Sequence, residues 1–327
     1  MRIEIWADVV CAWAYIGKRR VERALEDWDG ESVEVVWRPF RIDPMAPAES
    51  LPMAEVLQDP VVDAALQQCA PDMSPTENRV RVSEIAAAEG IGPRWGAAWR
   101  ADSHDAHRLI ALAHEAGGSA LQNAVMEEVL RAHFVDALDI ARPETLAAVA
   151  GRAGFPEGPK LLASGAGEET VRELLLRGKA IGVKTSPTIV VGGGEALAGA
   201  HAPAVIAELL RGAAAAAPRE LPAEVERFRQ AEALLDLGDP LGCLTLLGPL
   251  MQEHGDDRNV RLLAARAHFH SAQLGRARAG LEALAAEAPD DSYVQLMLGR
   301  VLERQGLAAE AAPHLRMAAA MTPTYEN

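Results

Sequence analysis

Cys11-Ala12-Trp13-Ala14 stands where a strand feeds directly into a helix, and that junction constrains the chain more than any other feature. Arg2 to Asp8 (RIEIWAD) alternates polar and apolar residues, as a half-buried strand does. Val9 and Val10 lead into Cys11, and from about Trp13 to Trp28 the apolar residues recur at helical spacing. A cysteine at such a junction lies beside backbone N–H groups that have no intrahelical partner, at the positive end of the helix dipole. Both favour the thiolate. The expectation is a nucleophilic sulfur at Cys11, open to incoming molecules. A dithiol redox loop would carry its second cysteine three residues on, and this chain has Ala14 there.

Further along, a second strand is expected over Val33 to Ile42, followed by a Pro-rich stretch with short helices at Met53 to Gln58 and Pro60 to Cys69. Helical patterns then dominate: Pro75 to Glu89, Ser103 to Ala116, Ser119 to His133, Pro143 to Ala153 and Gly167 to Ile181. Gly90, Gly117-Gly118 and Gly182 close three of them, as left-handed caps do. Strand character returns at Pro187 to Val191. A glycine turn at 192–194, a strand at Glu195 to Leu197 and a helix at Pro203 to Leu210 follow. The expected fold is α/β: a thioredoxin-like core over residues 1–211, split by a helical insert at about 43–181. Its first two strands would be parallel, and its last two an antiparallel hairpin.

Gly212 to Glu224 (GAAAAAPRELPAE) breaks the composition and reads as a linker. Beyond it, over 225–327, Cys243, Ala277 and Ala311 are each 34 residues apart, as are Leu247, Leu281 and Leu315. Ala231, Ala265 and Gly299 fall in step, and Pro289 and Pro323 close two units. That period, with small residues where helices cross, is the mark of tetratricopeptide-like repeats, an all-α domain of three helical hairpins. The pattern is imperfect: Gly238 and Gly306 find only Ala272 in the middle unit. The Met-rich and Leu-rich faces of these helices read as core.

A length of 327 residues fits about two domains at ~150 residues each. A net charge of −15 disfavours nucleic-acid or anionic-membrane partners, and Lys18-Arg19-Arg20 is too short to reverse it. The first residues lack a basic region followed by an apolar run, and no apolar run reaches the ~18 residues of a membrane helix. Three cysteines are too few for a disulfide framework or a zinc site. A cytoplasmic, reducing location without metal is expected.

Residues 1–211 resemble the DsbA-like thioredoxin-fold oxidoreductases, in the FrnE-like cytoplasmic subgroup. The resemblance rests on Ile5 to Arg19 (IWADVVCAWAYIGKR), Asp105 to Leu109 (DAHRL), Glu128 to Phe155, Gly182 to Thr188 (GVKTSPT) and Gly199-Ala200-His201. It implies thiol–disulfide exchange, with Cys11 as attacking thiolate, Ala14 at the degenerate resolving position and Pro187 as a cis-proline facing the sulfur. With Ala14 unable to resolve a mixed disulfide, the coherent redox version is a monothiol cycle. A low-molecular-weight thiol, glutathione or mycothiol, would serve as co-substrate, with no tightly bound cofactor. Trp13, Ser186 and Thr188 are the candidate thiol-binding residues. The Ser186 backbone would pair with the thiol as a short strand addition, and Lys18, Arg19 and Arg20 would attract its carboxylates. Cys69 is the other candidate resolving cysteine of this domain.

Two other readings stand beside this one. A related branch of the fold, the kappa-class glutathione transferases and 2-hydroxychromene-2-carboxylate isomerases, uses a bound thiol for isomerisation or conjugation. Alternatively, Cys11 is a vestige and the repeats work as a scaffold for a protein partner. Trp13 and Tyr15 read as packing residues, His107 as a hydrogen-bonded structural histidine, and Cys69 and Cys243 as structural.

Overall fold

The computed structural model describes residues 1–62, 64, 71–192, 194–216 and 221–326. These form two compact units. One comprises Met1–Gly178 with Val183–Glu220, the other Leu221–Asn327 with Lys179–Gly182.

In the first unit, β1 (Arg2–Ala7) leads through Cys11 into α1 (Ala12–Glu26) and then β2 (Glu34–Pro39). Later come β5 (Thr188–Val191), β6 (Glu195–Ala198) and α8 (Pro203–Ala215). The sheet order is β2-β1-β5-β6. β1 runs parallel to β2, with Ile5 opposite Trp37, and antiparallel to β5, with Trp6 opposite Thr188. β5 and β6 are antiparallel, as expected of a hairpin. The alternation read in β1 fades at its end, where Ile5, Trp6 and Ala7 are all buried. A strand flanked on both edges and covered on both faces has no solvent side to keep polar.

The insert holds β3 (Leu51–Pro52), α2 (Met53–Val56), α3 (Pro75–Ala88), β4 (Trp99–Arg100), α4 (His104–Phe134), α5 (Pro143–Arg152), α6 (Gly158–Ala163) and α7 (Glu168–Ala180). Ser74 and Glu77 form a reciprocal capping box at the start of α3. The two helices expected on either side of Gly117-Gly118 form one long element with a break there. Gly118 has φ +67, a conformation that suits a residue without Cβ. The two-residue pair β3–β4 and the single turn-and-a-half of α6 were not expected, being too short to carry a periodic pattern. The helix expected over Pro60 to Cys69 falls largely outside the described residues.

α8 runs on to Ala215, into the segment read as linker, because an alanine run is the best helix-forming sequence available. The second unit then consists of three helical hairpins: α9 (Ala223–Asp236) with α10 (Pro240–Glu253), α11 (Arg258–His270) with α12 (Leu274–Glu287), and α13 (Ser292–Arg304) with α14 (Ala308–Met321). The 34-residue columns are its buried positions: Cys243, Ala277 and Ala311 are fully buried. Gly299 is held so close to Leu315 that a Cβ would lie 2.5 Å from that side chain. Asp257 and Asp291, also 34 apart, cap α11 and α13. The turn position of each hairpin takes a positive φ: +77 at Gly238, +59 at Ala272 and +80 at Gly306.

The methionines depart from the core reading. Met297 is buried, whereas Met251, Met317 and Met321 are exposed, as are Leu237 and Leu241. The three exposed methionines lie toward the ends of α10 and α14, and the two leucines flank the α9–α10 turn.

Candidate functional site

Cys11 is the N-cap of α1, in an extended conformation with no side-chain cap. Its N–H donates to Asp8 O at 3.0 Å, and its carbonyl accepts from the Ala14 N–H at 2.9 Å, so the sulfur is fixed between strand and helix. The Ser186–Pro187 peptide is cis, as the resemblance implies. Ser186 holds the junction twice. Its hydroxyl accepts the Asp8 N–H at 2.9 Å, and its carbonyl accepts the Cys11 thiol at 3.3 Å. Gly17 lets α1 approach the same loop, for a Cβ there would stand 3.0 Å from Pro187 Cγ. The structure thus brings Cys11, Ser186 and Pro187 together.

The state of the sulfur differs from the sequence expectation. Cys11 is only 8 % exposed, and burial pushes its thiol pKa up. The Ser186 side chain and the N–H groups of Ala14 and Trp13 pull it down, as a helix N-terminus should, while the Asp8 charge adds to the rise. Desolvation wins, because a thiolate taken out of water loses more than three partial contacts restore. The resting group is a protonated thiol that donates to a carbonyl.

Ala14 is fully buried. Trp13 is partly buried, with the Arg81 guanidinium 5.9 Å from its ring centroid. The Thr188 hydroxyl donates to Thr185 O at 2.7 Å, so it braces its own loop instead of facing a ligand. The Ser186 carbonyl is engaged by the thiol through one hydrogen bond. Cys69 lies outside the described residues.

The three cations at Lys18-Arg19-Arg20 are occupied within the fold, and this corrects their assignment to a ligand's carboxylates. Lys18 is buried against Glu22 and Glu127, its Nζ 2.9 Å from Glu127 Oε2. Arg19 pairs with Glu22 and Glu127, and Arg20 with Glu89 and the Ala200 carbonyl. Tyr15 donates to Glu127 Oε1 at 2.7 Å; burial first, then that carboxylate, raises its pKa, leaving it no acid–base role near neutrality.

Sequence reasoning missed the hub beneath the sulfur, Asp8. It is fully buried, and its carboxylate accepts from the Ile42 N–H at 2.7 Å and lies 3.2 Å from His107 Nε2. Burial alone would raise its pKa. The hydrogen bond and charge of His107, with the Ile42 N–H and Ser103, outweigh this and hold it below the ordinary aspartate value. His107 is hydrogen-bonded and buried, as expected of a structural histidine. His133 is buried nearby with no partner for Nδ1, and burial pushes its pKa down to about 4 against the pull of Asp8 and Asp139. A charged residue between Ala7 and Val9-Val10, at the end of a buried strand, was the available signal for this hub.

A family model described as DSBA-like thioredoxin domain matches residues 2–211, and one described as tetratricopeptide repeat matches 234–301. Among solved structures, a probable DsbA oxidoreductase from Streptomyces coelicolor is 27 % identical with a TM-score of 0.56, covering 68 % of this chain and 94 % of its own. A cytosolic disulfide reductase, DsbM, from Pseudomonas aeruginosa is 19 % identical (TM-score 0.45), covering 65 % of this chain and 100 % of its own. A 2-hydroxychromene-2-carboxylate isomerase is 17 % identical (TM-score 0.47), covering 65 % and 94 %. No curated protein matches the sequence. Among the described residues, no helix is long and apolar enough to cross a membrane.

Proposed function

From the premise that this chain belongs to the DSBA-like thioredoxin-domain family and carries tetratricopeptide repeats, we propose that it is a FrnE-like monothiol oxidoreductase. Cys11 is its sole active-site sulfur, and a low-molecular-weight thiol completes the cycle. The supporting observation is the contact between the Cys11 thiol and the Ser186 carbonyl beside cis-Pro187, retained although Ala14 has replaced the resolving cysteine.

The cycle runs in two exchanges. The Cys11 thiolate attacks the glutathione or mycothiol sulfur of a mixed disulfide, forming a new S–S bond and expelling the substrate sulfur as a thiolate, which takes a proton. A second low-molecular-weight thiolate attacks that same small-thiol sulfur. The symmetrical small disulfide leaves and the Cys11 thiolate returns. The net exchange consumes one free small thiol, which becomes half of the symmetrical disulfide while the substrate sulfur leaves as a thiol. Because the resting thiol is held above its ordinary pKa, the first exchange is slow at neutral pH and quickens as pH rises. A cytoplasmic thiol pool is the setting, and the repeats recruit the protein whose disulfide is exchanged.

The burial of Cys11 favours a second reading, in which the sulfur is idle and the repeats act as a scaffold. One assay separates the two. The full chain and its Cys11→Ser variant are given a glutathionylated peptide, then a mycothiol mixed disulfide, over a range of pH. Turnover that needs the matching free thiol, rises above neutral pH and vanishes in the variant is expected. Equal rates for the two proteins across the range would leave the scaffold.

A further inference from the structure

The middle hairpin of the repeats is hollow where its neighbours are solid. The 34-residue register sets His268 of α11 against Leu234 and Leu302, Ala264 against Gln230 and Leu298, and Gly280 of α12 against Leu246 and His314. Leu234, Leu246, Leu298 and Leu302 are all buried, so these columns are core positions. A smaller or more polar residue in such a column leaves space that the surrounding helices do not fully close. His268, Ala264 and Gly280 all line the cavity of about 260 Å³ found there, which Met251 of α10 borders on one side.

No carboxylate is among its lining residues, in a chain whose net charge is −15. Of its two arginines, Arg261 is spent on Glu287, Nη1 to Oε2 at 2.8 Å, and leaves no charge over. Arg276 donates through Nη1 to the neutral Gln273 Oε1 at 2.9 Å and, among the described residues, is in no ion pair. It stands in the first turn of α12, which holds no acid, so its charge opposes the helix dipole. The third hairpin has Glu310 at this register, the sign that end of a helix favours. His268 Nδ1 is buried without a hydrogen-bond partner. Burial first, then the Arg276 charge, holds the imidazole below its ordinary pKa against the pull of the Gln273 side chain. The cavity therefore carries one unmatched guanidinium beside a neutral imidazole.

A guanidinium with donors to spare, set over aliphatic walls, suits an anion with an apolar body. One unmatched charge suits a single negative charge. The volume falls just below the usual ~300 Å³ floor for drug-sized ligands, so a metabolite-sized molecule fits. We propose that this cavity binds a small organic monocarboxylate, its carboxylate on Arg276 and His268 and its apolar body against Val260, Ala264 and Ala283. The site lies within the repeat unit and rests on nothing in the redox reading.

The test titrates the full chain with hexanoate, benzoate and phenylacetate, with benzamide and inorganic phosphate as controls. Calorimetry and the His268 ring resonances are the readouts. At least one carboxylate is expected to saturate and to shift those resonances, with benzamide about tenfold weaker or worse and phosphate inert. Arg276 is exposed, so Arg276→Gln should weaken binding by about tenfold at unchanged thermal stability. Ala264→Leu installs the residue that the third hairpin holds at this register, and should fill the cavity and abolish binding. The proposal is overturned if no carboxylate saturates, if benzamide binds equally or if phosphate displaces the carboxylate. It is equally overturned if Arg276→Gln, or a folded Ala264→Leu, binds like the parent.

Discussion

The described residues contain two free thiols, one in each unit, and both are buried. Cys11 sits in a junction where amides and a carbonyl from separate segments reach the sulfur. Cys243 sits inside α10, in the column that Ala277 and Ala311 fill in the other hairpins, where a small side chain is all the helix crossing needs. Burial pushes Cys243 up to about 12; Arg266 lowers it, and Asp239, Asp236 and Glu232 add to the rise. Cys11 is also raised, but the Ser186 side chain and the N–H groups of Ala14 and Trp13 oppose the rise. The comparison teaches that a helix N-terminus primes a sulfur only as far as water can follow. What sets the two thiols apart is the set of donors around Cys11, not exposure.

The largest effect expected from this contrast is kinetic. In the native full chain, iodoacetamide should modify Cys11 at least ~100-fold faster than Cys243, with a pH midpoint above the ordinary thiol range. Peptide mapping against time measures both, and equal rates would erase the distinction. A related sign follows for stability. A thiol whose folded pKa is raised stabilises the fold below its unfolded value and loses that contribution as pH climbs through the folded value. The repeat unit should therefore weaken as pH rises from the ordinary thiol value of 9.0 toward about 12, and a Cys243→Ala variant should lose that component.

Next in size are two substitutions that probe what each sulfur's surroundings hold together. Ser186→Ala leaves the buried Asp8 N–H without its acceptor, an expected cost of about 1–3 kcal/mol in urea unfolding. Cys243→Ala gives the first hairpin the residue its two neighbours already use, and should cost less than ~1 kcal/mol near neutral pH. A reversed order would mean that the repeats lean on their thiol more than the junction leans on its serine.

The smallest effect is a gain. Ala272 takes φ +59 where the flanking hairpins use glycine, so Ala272→Gly should stabilise the repeats by about 1 kcal/mol, read from the thermal midpoint. An unchanged or lowered midpoint would show that the middle turn carries no strain.

The strand–cysteine–helix junction and the proline loop were legible because each is a short run whose pattern is local. The 34-residue columns were legible because repetition multiplies a weak signal. The Asp8 hub was not, since its partners Ile42, Ser103 and His107 come from distant segments and no spacing announces them. Lys18, Arg19 and Arg20 read as a surface patch because their acids, Glu89 and Glu127, are supplied by α4 and by the turn after α3. Burial of the sulfur depends on tertiary packing between segments far apart in the chain, such as Cys11 and Ser186, and a linear pattern does not carry that.

Ser186 offers its carbonyl to a hydrogen that exists only while Cys11 is a thiol. Once that sulfur becomes a thiolate or joins a disulfide, the oxygen has nothing left to accept. In the proposed cycle it would lose that donor at the instant the small thiol is covalently attached beside it. On that proposal the loop would act as an interlock, engaged by the reduced cysteine and released by the same bond change that brings a guest in.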